Sequence, residues 1–160
     1  MNLFAAAFSD KRTWQESLDD CLQQIQDKTQ GSTLGFVYVT DHYVPDLQAI
    51  TEQLIGHSGI TQWIGTVGIG ICSPGRETYE QPAISMMITD IDPHHFRVFN
   101  ALDKDLSRFT REHQSWFQKN TTNLGILHGD PTNASLPQMI HELAHVLPNG
   151  YLVGGLTSSR

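Results

Sequence analysis

Residues 34–41 of the chain read LGFVYVTD, and residues 124–131 read LGILHGDP. Both stretches begin with Leu-Gly, continue through apolar residues and reach an aspartate in a polar loop. Apolar residues at helical spacing follow each stretch, and a glycine-containing, strand-like segment comes after them. The two series stay about ninety residues apart throughout. The sequence therefore predicts a strand–helix–strand unit that occurs twice, at about residues 34–70 and 124–157.

The rest of the chain alternates between strand and helix patterns. Apolar runs predict further strands at residues 3–8, 60–71, 83–89 and 95–99, the central ones forming an antiparallel meander. Helix starts are indicated by the capping boxes Thr13-x-x-Glu16 and Ser135-x-x-Gln138, by the Pro-Asp pair at 45–46 and by an apolar stripe over about 103–119. We expect a single layered α/β domain over residues 1–160, with a mixed β-sheet flanked by helices and an internally duplicated strand–helix–strand unit.

Composition excludes several classes of function. The 160 residues are 39% hydrophobic and 17% charged, which is typical of a globular domain. Ten Lys and Arg against seventeen Asp and Glu give a net charge of −7, and the basic residues are not clustered in the sequence. Because affinity for nucleic acid depends on clustered Lys and Arg, we expect no nucleic-acid partner. No apolar run approaches the roughly twenty residues that cross a bilayer. Cys21 and Cys72 form neither a zinc site nor a disulfide framework, and we expect a soluble cytoplasmic protein.

The second unit is interrupted. The first unit runs on into a turn and two further predicted strands, whereas the second stops at Arg160. This difference predicts that the chain is an N-terminal piece of a longer protein. A homodimer would be one way to cover the edge of the interrupted unit.

The predicted helix of the second unit contains His141-Glu142-Leu143-Ala144-His145. This is the spacing of a zinc protease, in which two imidazoles hold the metal and the glutamate acts as general base. Between His145 and Arg160 no His, Asp or Glu offers a third ligand. The helical phase also sets both histidines opposite the apolar side formed by Leu136, Met139, Ile140, Leu143, Val146 and Leu147. We therefore expect surface histidines, no bound metal, no cofactor and no catalytic residue.

Ligands of α/β sheets bind where strands end, because loops and helix N-termini expose unpaired N–H groups there. Two polar groups occupy such positions in the predicted units, one around Asp41 and residues 65–68, the other around residues 128–130 and 154–160. Hydroxyls and a guanidinium suit a carboxylate, and an aspartate suits an amine. The predicted ligand-binding residues are Thr66, Gly68, His128, Asp130, Thr157, Ser158, Ser159 and Arg160. The alternative is that Asp130 forms only a turn and the glycines only permit close packing.

An ordered set of short motifs resembles a known family. The set consists of WIGTVGIG at 63–70, Glu77-x-Tyr79, PAIS at 82–85, HGDP at 128–131 and GGLTSS at 154–159. Together these motifs resemble the N-terminal part of FIST domains, over most of the chain. The resemblance implies a sensory domain of signal-transduction proteins that binds small ligands such as amino acids, with a further C-terminal portion. It implies no particular binding residues.

Three functions remain open at this point. The first is a cytoplasmic sensory domain that binds a small polar ligand and catalyses nothing. The second is a zinc-dependent metallohydrolase with His141 and His145 as ligands and Glu142 as base. The third is a non-catalytic structural or protein-interaction module, for which an acidic surface and a duplicated core would be sufficient.

Overall fold

The structure is a computed structural model and describes residues 3–99, 102, 106–119, 124–147 and 150–158. The chain forms two compact units. Residues up to Val98 belong to the first unit together with Ser158, and Phe99–Thr157 form the second. Within the described ranges, no helix has the length and apolar character needed to cross a membrane. The extent of the domain, residues 1–160 as one body, stays a prediction.

The first unit is built around a mixed four-stranded sheet. Its elements in chain order are β1 (Phe4–Ser9), α1 (Trp14–Thr29), β2 (Leu34–Thr40), α2 (Leu47–Ser58), β3 (Trp63–Gly68), β4 (Gly70–Ser73), β5 (Arg76–Tyr79) and β6 (Ile84–Thr89). The strand order is β1-β6-β2-β3, with β2 and β3 parallel and β6 antiparallel to both of its neighbours. This mixed sheet with its helices confirms the predicted α/β fold class.

Both helices of this unit pack on one face of the sheet. Leu18 of α1 and Leu54 of α2 are fully buried against a cluster that includes Val39 of β2. Alternation along a strand puts every second side chain on this face, which explains why the valines of β2 share it.

Cys21 also lies in this core, where burial, with a smaller effect from Asp20, raises the pKa of its thiol to about 12. Cys21 therefore behaves as a buried apolar group rather than as a nucleophile.

Two predicted strands of the central region differ from the structure. The long strand expected at 60–71 ends at Gly68, and the chain folds back into the hairpin β4–β5. A Cβ atom at Gly68 would lie 2.6 Å from the carbonyl oxygen of Gly70, so this sharp turn requires glycine. The strand expected at 95–99 is wrong, because Pro93–His95 form a short 3₁₀ helix and residues 96–99 are irregular. Asp92 caps that helix by accepting a 2.8 Å hydrogen bond from the backbone N–H of His94.

The second unit contains α3 (Leu106–Lys119), β7 (Leu124–Gly129), α4 (Leu136–Val146) and β8 (Tyr151–Leu156). β7 and β8 pair in parallel. Leu106, Met139 and Leu143 are buried together, with Leu127 and Leu152 packed against them. Ile140, assigned to the apolar side of α4 from the sequence, is instead 40% exposed.

The two repeated segments share one local architecture. Each forms a strand, a helix and a second strand parallel to the first. Val37 pairs with Gly65 in the first segment, and Leu127 pairs with Gly154 in the second. In both pairs the glycine approaches the carbonyl oxygen of its partner so closely that a Cβ atom would overlap it. Gly65 and Gly154 thus make equivalent contacts between their paired strands. That the two segments arose by duplication stays a prediction.

The two capping boxes provide a matched test of local structure. Thr13 caps α1, since its hydroxyl accepts a 3.2 Å hydrogen bond from the backbone N–H of Glu16. Ser135 makes no such bond at the start of α4, where Asn133 accepts the N–H of Ser135 instead. We expect Thr13→Ala to lower the free energy of unfolding by about 1 kcal/mol and Ser135→Ala to leave it nearly unchanged. Urea denaturation measures both, and equal losses would contradict the assignment.

Candidate functional site

The candidate site lies at the carboxyl ends of the parallel strands β2 and β3. Tyr38 pairs with Thr66 and Thr40 with Gly68, so both strands end at the same edge of the sheet. Asp41 follows β2 directly and begins a 3₁₀ helix that continues to Asp46. This edge therefore combines backbone at two strand ends, a carboxylate and hydroxyl groups, as expected for ligand sites of α/β sheets.

A row of three hydroxyl-bearing residues crosses the sheet just before this edge. Ser85 of β6 pairs with Tyr38 of β2, which pairs with Thr66 of β3. Because Val37 and Val67 pack on the helix side, strand alternation directs Tyr38 and Thr66 to the opposite face. On that face the Ser85 hydroxyl donates a 3.2 Å hydrogen bond to the carbonyl oxygen of Cys72 in β4. Hairpin β4–β5 thus lies over the row.

Ser158 is held at the end of β3 by two hydrogen bonds. Its backbone N–H donates to the carbonyl oxygen of Val67 at 3.1 Å. Its hydroxyl oxygen accepts from the backbone N–H of Ile69 at 3.0 Å. Ser158 therefore lies beside the stretch that carries Thr66 and Gly68, and these three residues of the predicted site come together in the first unit.

The hydroxyl oxygen of Thr66 is buried, and it has no hydrogen-bond partner within the part of the chain that the structure describes. The neighbouring Thr40 hydroxyl contrasts with it, because that oxygen accepts a 2.9 Å hydrogen bond from the backbone N–H of Ala83. A buried hydroxyl without a partner costs roughly 1–3 kcal/mol, so native proteins contain few of them. The Thr66 hydroxyl is therefore a candidate contact for a ligand at this edge.

The ionisable groups at the edge have distinct environments. The Asp41 side chain is only 10% exposed, and the Nδ1 atom of His42 lies 3.4 Å from its Oδ1 atom. Burial raises the pKa of Tyr38, so its phenol stays protonated at neutral pH. The edge therefore offers a carboxylate beside neutral hydroxyl groups, a combination that suits an ammonium group.

His128, Asp130 and Thr157 of the predicted site lie in the second unit, at the end of β7. Burial lowers the pKa of His128, which favours the neutral imidazole. Thr157 donates its backbone N–H to the carbonyl oxygen of Gly129 at 2.8 Å, which places it beside that strand end. Ser159 and Arg160 fall outside the described residues. Roles for His128 and Thr157 in ligand binding stay predictions.

Asp130 has the geometry of a turn residue. Its Oδ1 atom accepts hydrogen bonds from the backbone N–H and the hydroxyl of Thr132, each 2.8 Å long. These bonds lower the pKa of its carboxyl, and the residue is exposed. The turn explains the local role of Asp130, and a contact to a ligand amine stays a prediction.

Tyr38 lies in the row at this edge but is not among the residues predicted from the sequence. The signal was present, since the alternation of Val37 and Val39 with Tyr38 predicts opposite faces. What could not be seen is the strand that β2 pairs with on its other side, because β6 is remote in sequence and forms its own contacts with β1.

The histidines of the zinc-protease motif lie elsewhere, on α4. His141 and His145 are exposed, as expected from the helical phase. Across the described ranges, no cluster of three or more His, Cys, Asp or Glu side chains is arranged to hold a metal ion.

Taken together, the mixed sheet, its helices and the polar residues at its strand ends define a layered α/β domain. The chain belongs to the FIST family: the model of the FIST N domain matches residues 33–160. This membership confirms the resemblance found in the sequence and is consistent with a sensory domain of signal transduction. No curated protein and no solved structure matches the chain significantly.

Proposed function

We propose that this protein is a cytoplasmic, non-catalytic sensory domain that binds a small polar ligand, with an amino acid as the first candidate. The proposed site is the carboxyl edge of β2 and β3. The observation that carries the proposal is the buried Thr66 hydroxyl, which has no hydrogen-bond partner among the residues that the structure describes. Ser158 lies beside the same strand end, where it binds the backbone of Val67 and Ile69. A ligand that hydrogen-bonds this hydroxyl would recover the free energy that the unbound domain loses there.

The charges at the edge support an amine-bearing ligand. Asp41 is a largely buried carboxylate next to the strand end, and charge-assisted hydrogen bonds to an ammonium group are about twice as strong as neutral ones. The hydroxyl of Thr66 can donate to a ligand oxygen. Ser159 and Arg160 remain the proposed partners of a ligand carboxylate. We propose no nucleic-acid or membrane partner for the domain.

The direct test is a thermal-shift panel of the twenty amino acids and simple amines and carboxylic acids on the full chain. A ligand present at a hundred times its dissociation constant adds about 2.7 kcal/mol to the free energy of unfolding, which corresponds to a shift of a few degrees. We expect at least one amino acid to give such a shift and the matching amine-blocked derivative to give none. Silence across the panel would favour a protein-interaction module instead.

Thr66→Val is expected to change ligand binding and the stability of the unliganded domain in opposite directions. Without ligand, the variant is expected to be about 1 kcal/mol more stable than the wild type, because valine removes an unsatisfied buried hydroxyl. With the ligand identified in the panel, its thermal shift is expected to be lost. Differential scanning fluorimetry of both proteins, with and without ligand, measures the two effects together.

Thr89→Val is the matched control. The Thr89 hydroxyl is also buried without a partner among the described residues, but Thr89 pairs with Leu34 at the opposite end of β2. This variant should gain similar stability and keep the full ligand shift. Retention of the shift in Thr66→Val, or its loss in Thr89→Val, would refute the proposed location of the site.

A further inference from the structure

His141 and His145 form a pair one turn apart on α4. Their ring centroids lie 4.4 Å from each other, and both side chains are exposed. The Nδ1 atom of His145 lies 2.7 Å from the carbonyl oxygen of His141. Because a carbonyl can only accept a hydrogen bond, Nδ1 carries the proton, and the Nε2 atom of a neutral His145 presents its lone pair outward.

This arrangement is the one that metal-binding histidines adopt. Such residues donate one ring N–H to a carbonyl or carboxylate, which fixes the tautomer and orients the other nitrogen toward the metal. Two imidazoles at i and i+4 reach the same ion because they lie on one face of a helix.

The pair also lines an open groove within the second unit. The groove has a volume of about 720 Å³ and lies between α3 and α4. The α3 wall of the groove is lined by four polar or charged residues, Ser107, Thr110, Gln114 and Arg111. An ion on the two imidazoles would therefore have further coordination positions directed into a polar space that admits water or a small anionic ligand.

Glu142 lines the same groove but is engaged locally. Its Oε1 atom accepts a 2.8 Å hydrogen bond from the side-chain amide of Gln138. One residue along a helix turns by about 100°, so Glu142 does not share the face of the histidine pair. The ligand set on α4 is thus two imidazoles.

We propose that His141 and His145 form a binding site for a divalent transition ion of the imidazole-preferring class, such as Zn²⁺, with its open positions facing the α3–α4 groove. Imidazole nitrogen favours Zn²⁺, Cu²⁺ and Ni²⁺ over Mg²⁺ and Ca²⁺, which prefer oxygen ligands. The site is separate from the edge of β2 and β3 and does not depend on the ligand proposed there.

Isothermal titration of the chelator-treated full chain with ZnCl₂ tests this site. We expect one Zn²⁺ per chain, no heat with MgCl₂, and binding at least tenfold weaker in His141→Ala and in His145→Ala. Changes in the surroundings of a metal ligand already weaken binding by roughly 10–100-fold, so removal of a ligand has at least that effect. Both histidines are exposed on a helix, where alanine is well tolerated, and circular dichroism checks the fold.

Three controls make the assignment specific. His57 on α2 makes the same contact, with its Nδ1 atom 2.9 Å from the carbonyl oxygen of Gln53, but it has no histidine one turn away. His57→Ala, Glu142→Gln and Thr66→Val should each bind Zn²⁺ like the wild type. Absence of Zn²⁺ binding, unchanged affinity in the two α4 histidine variants, or a matching loss in Glu142→Gln would each overturn the two-histidine site.

Discussion

Gly65→Ala is expected to lower the free energy of unfolding by more than about 3 kcal/mol, or to prevent folding. A Cβ atom at this position would lie 1.8 Å from the carbonyl oxygen of Val37 and 2.9 Å from its carbonyl carbon. Both are backbone atoms of β2, so no side-chain rotation can relieve the overlap. The parallel pairing of β2 with β3, which positions Thr66 and Gly68, would have to separate.

Gly56→Ala is the matched control for the glycine variant. Gly56 lies in α2, and a Cβ atom there would meet nothing within 4 Å. Alanine is the better helix former, so this variant should be about 0.5–1 kcal/mol more stable than the wild type. Urea denaturation followed by circular dichroism measures both variants. A Gly65→Ala protein as stable as the wild type would show that β2 and β3 do not approach each other as described.

Leu54→Ala is expected to reduce the free energy of unfolding by about 2–5 kcal/mol. Leu54 is 0% exposed and belongs to the cluster that joins α2 to the sheet. Truncation removes apolar contacts and leaves a cavity that a close-packed core fills only in part. Denaturant unfolding gives the loss directly.

Leu47→Ala tests the same substitution at the start of the same helix. Leu47 is 37% exposed, so alanine leaves no enclosed cavity and the loss should be about 1 kcal/mol. Equal losses in Leu47→Ala and Leu54→Ala would mean that α2 does not direct Leu54 into the core.

Much of the local structure could be predicted because it depends on near neighbours. The Thr13 cap of α1 needs only Glu16 three residues away, and the structure contains that hydrogen bond. The same spacing at Ser135 gives no cap, because Ser135 has helical backbone angles (φ −87°, ψ −9°), whereas Thr13 is extended. An N-cap residue needs non-helical backbone angles for its side chain to reach the N–H groups of the first turn, and the spacing of the capping box does not specify them.

The central region shows where the pattern was insufficient. An apolar run predicts a strand only as far as the backbone can remain extended, and the close approach of Gly68 to Gly70 ends β3 early. Residues 95–99 have the composition of a strand. In the structure Asp92 caps a short 3₁₀ helix, Pro93–His95, and residues 96–99 after it are irregular. Strand formation needs a partner strand, and none of the pairings described in the structure includes these residues.

The family, the α/β class and most of the helices and strands could be predicted from the sequence alone. These properties depend on periodicity and on short ordered motifs, which are local. Tertiary packing sets β6 between β1 and β2, which brings Ser85, Tyr38 and Thr66 into one row. It also placed Ser158 against the backbone N–H of Ile69, 89 residues earlier in the chain. Such contacts are long-range: they form when packing brings distant backbone groups together, and no local pattern specifies which groups will meet.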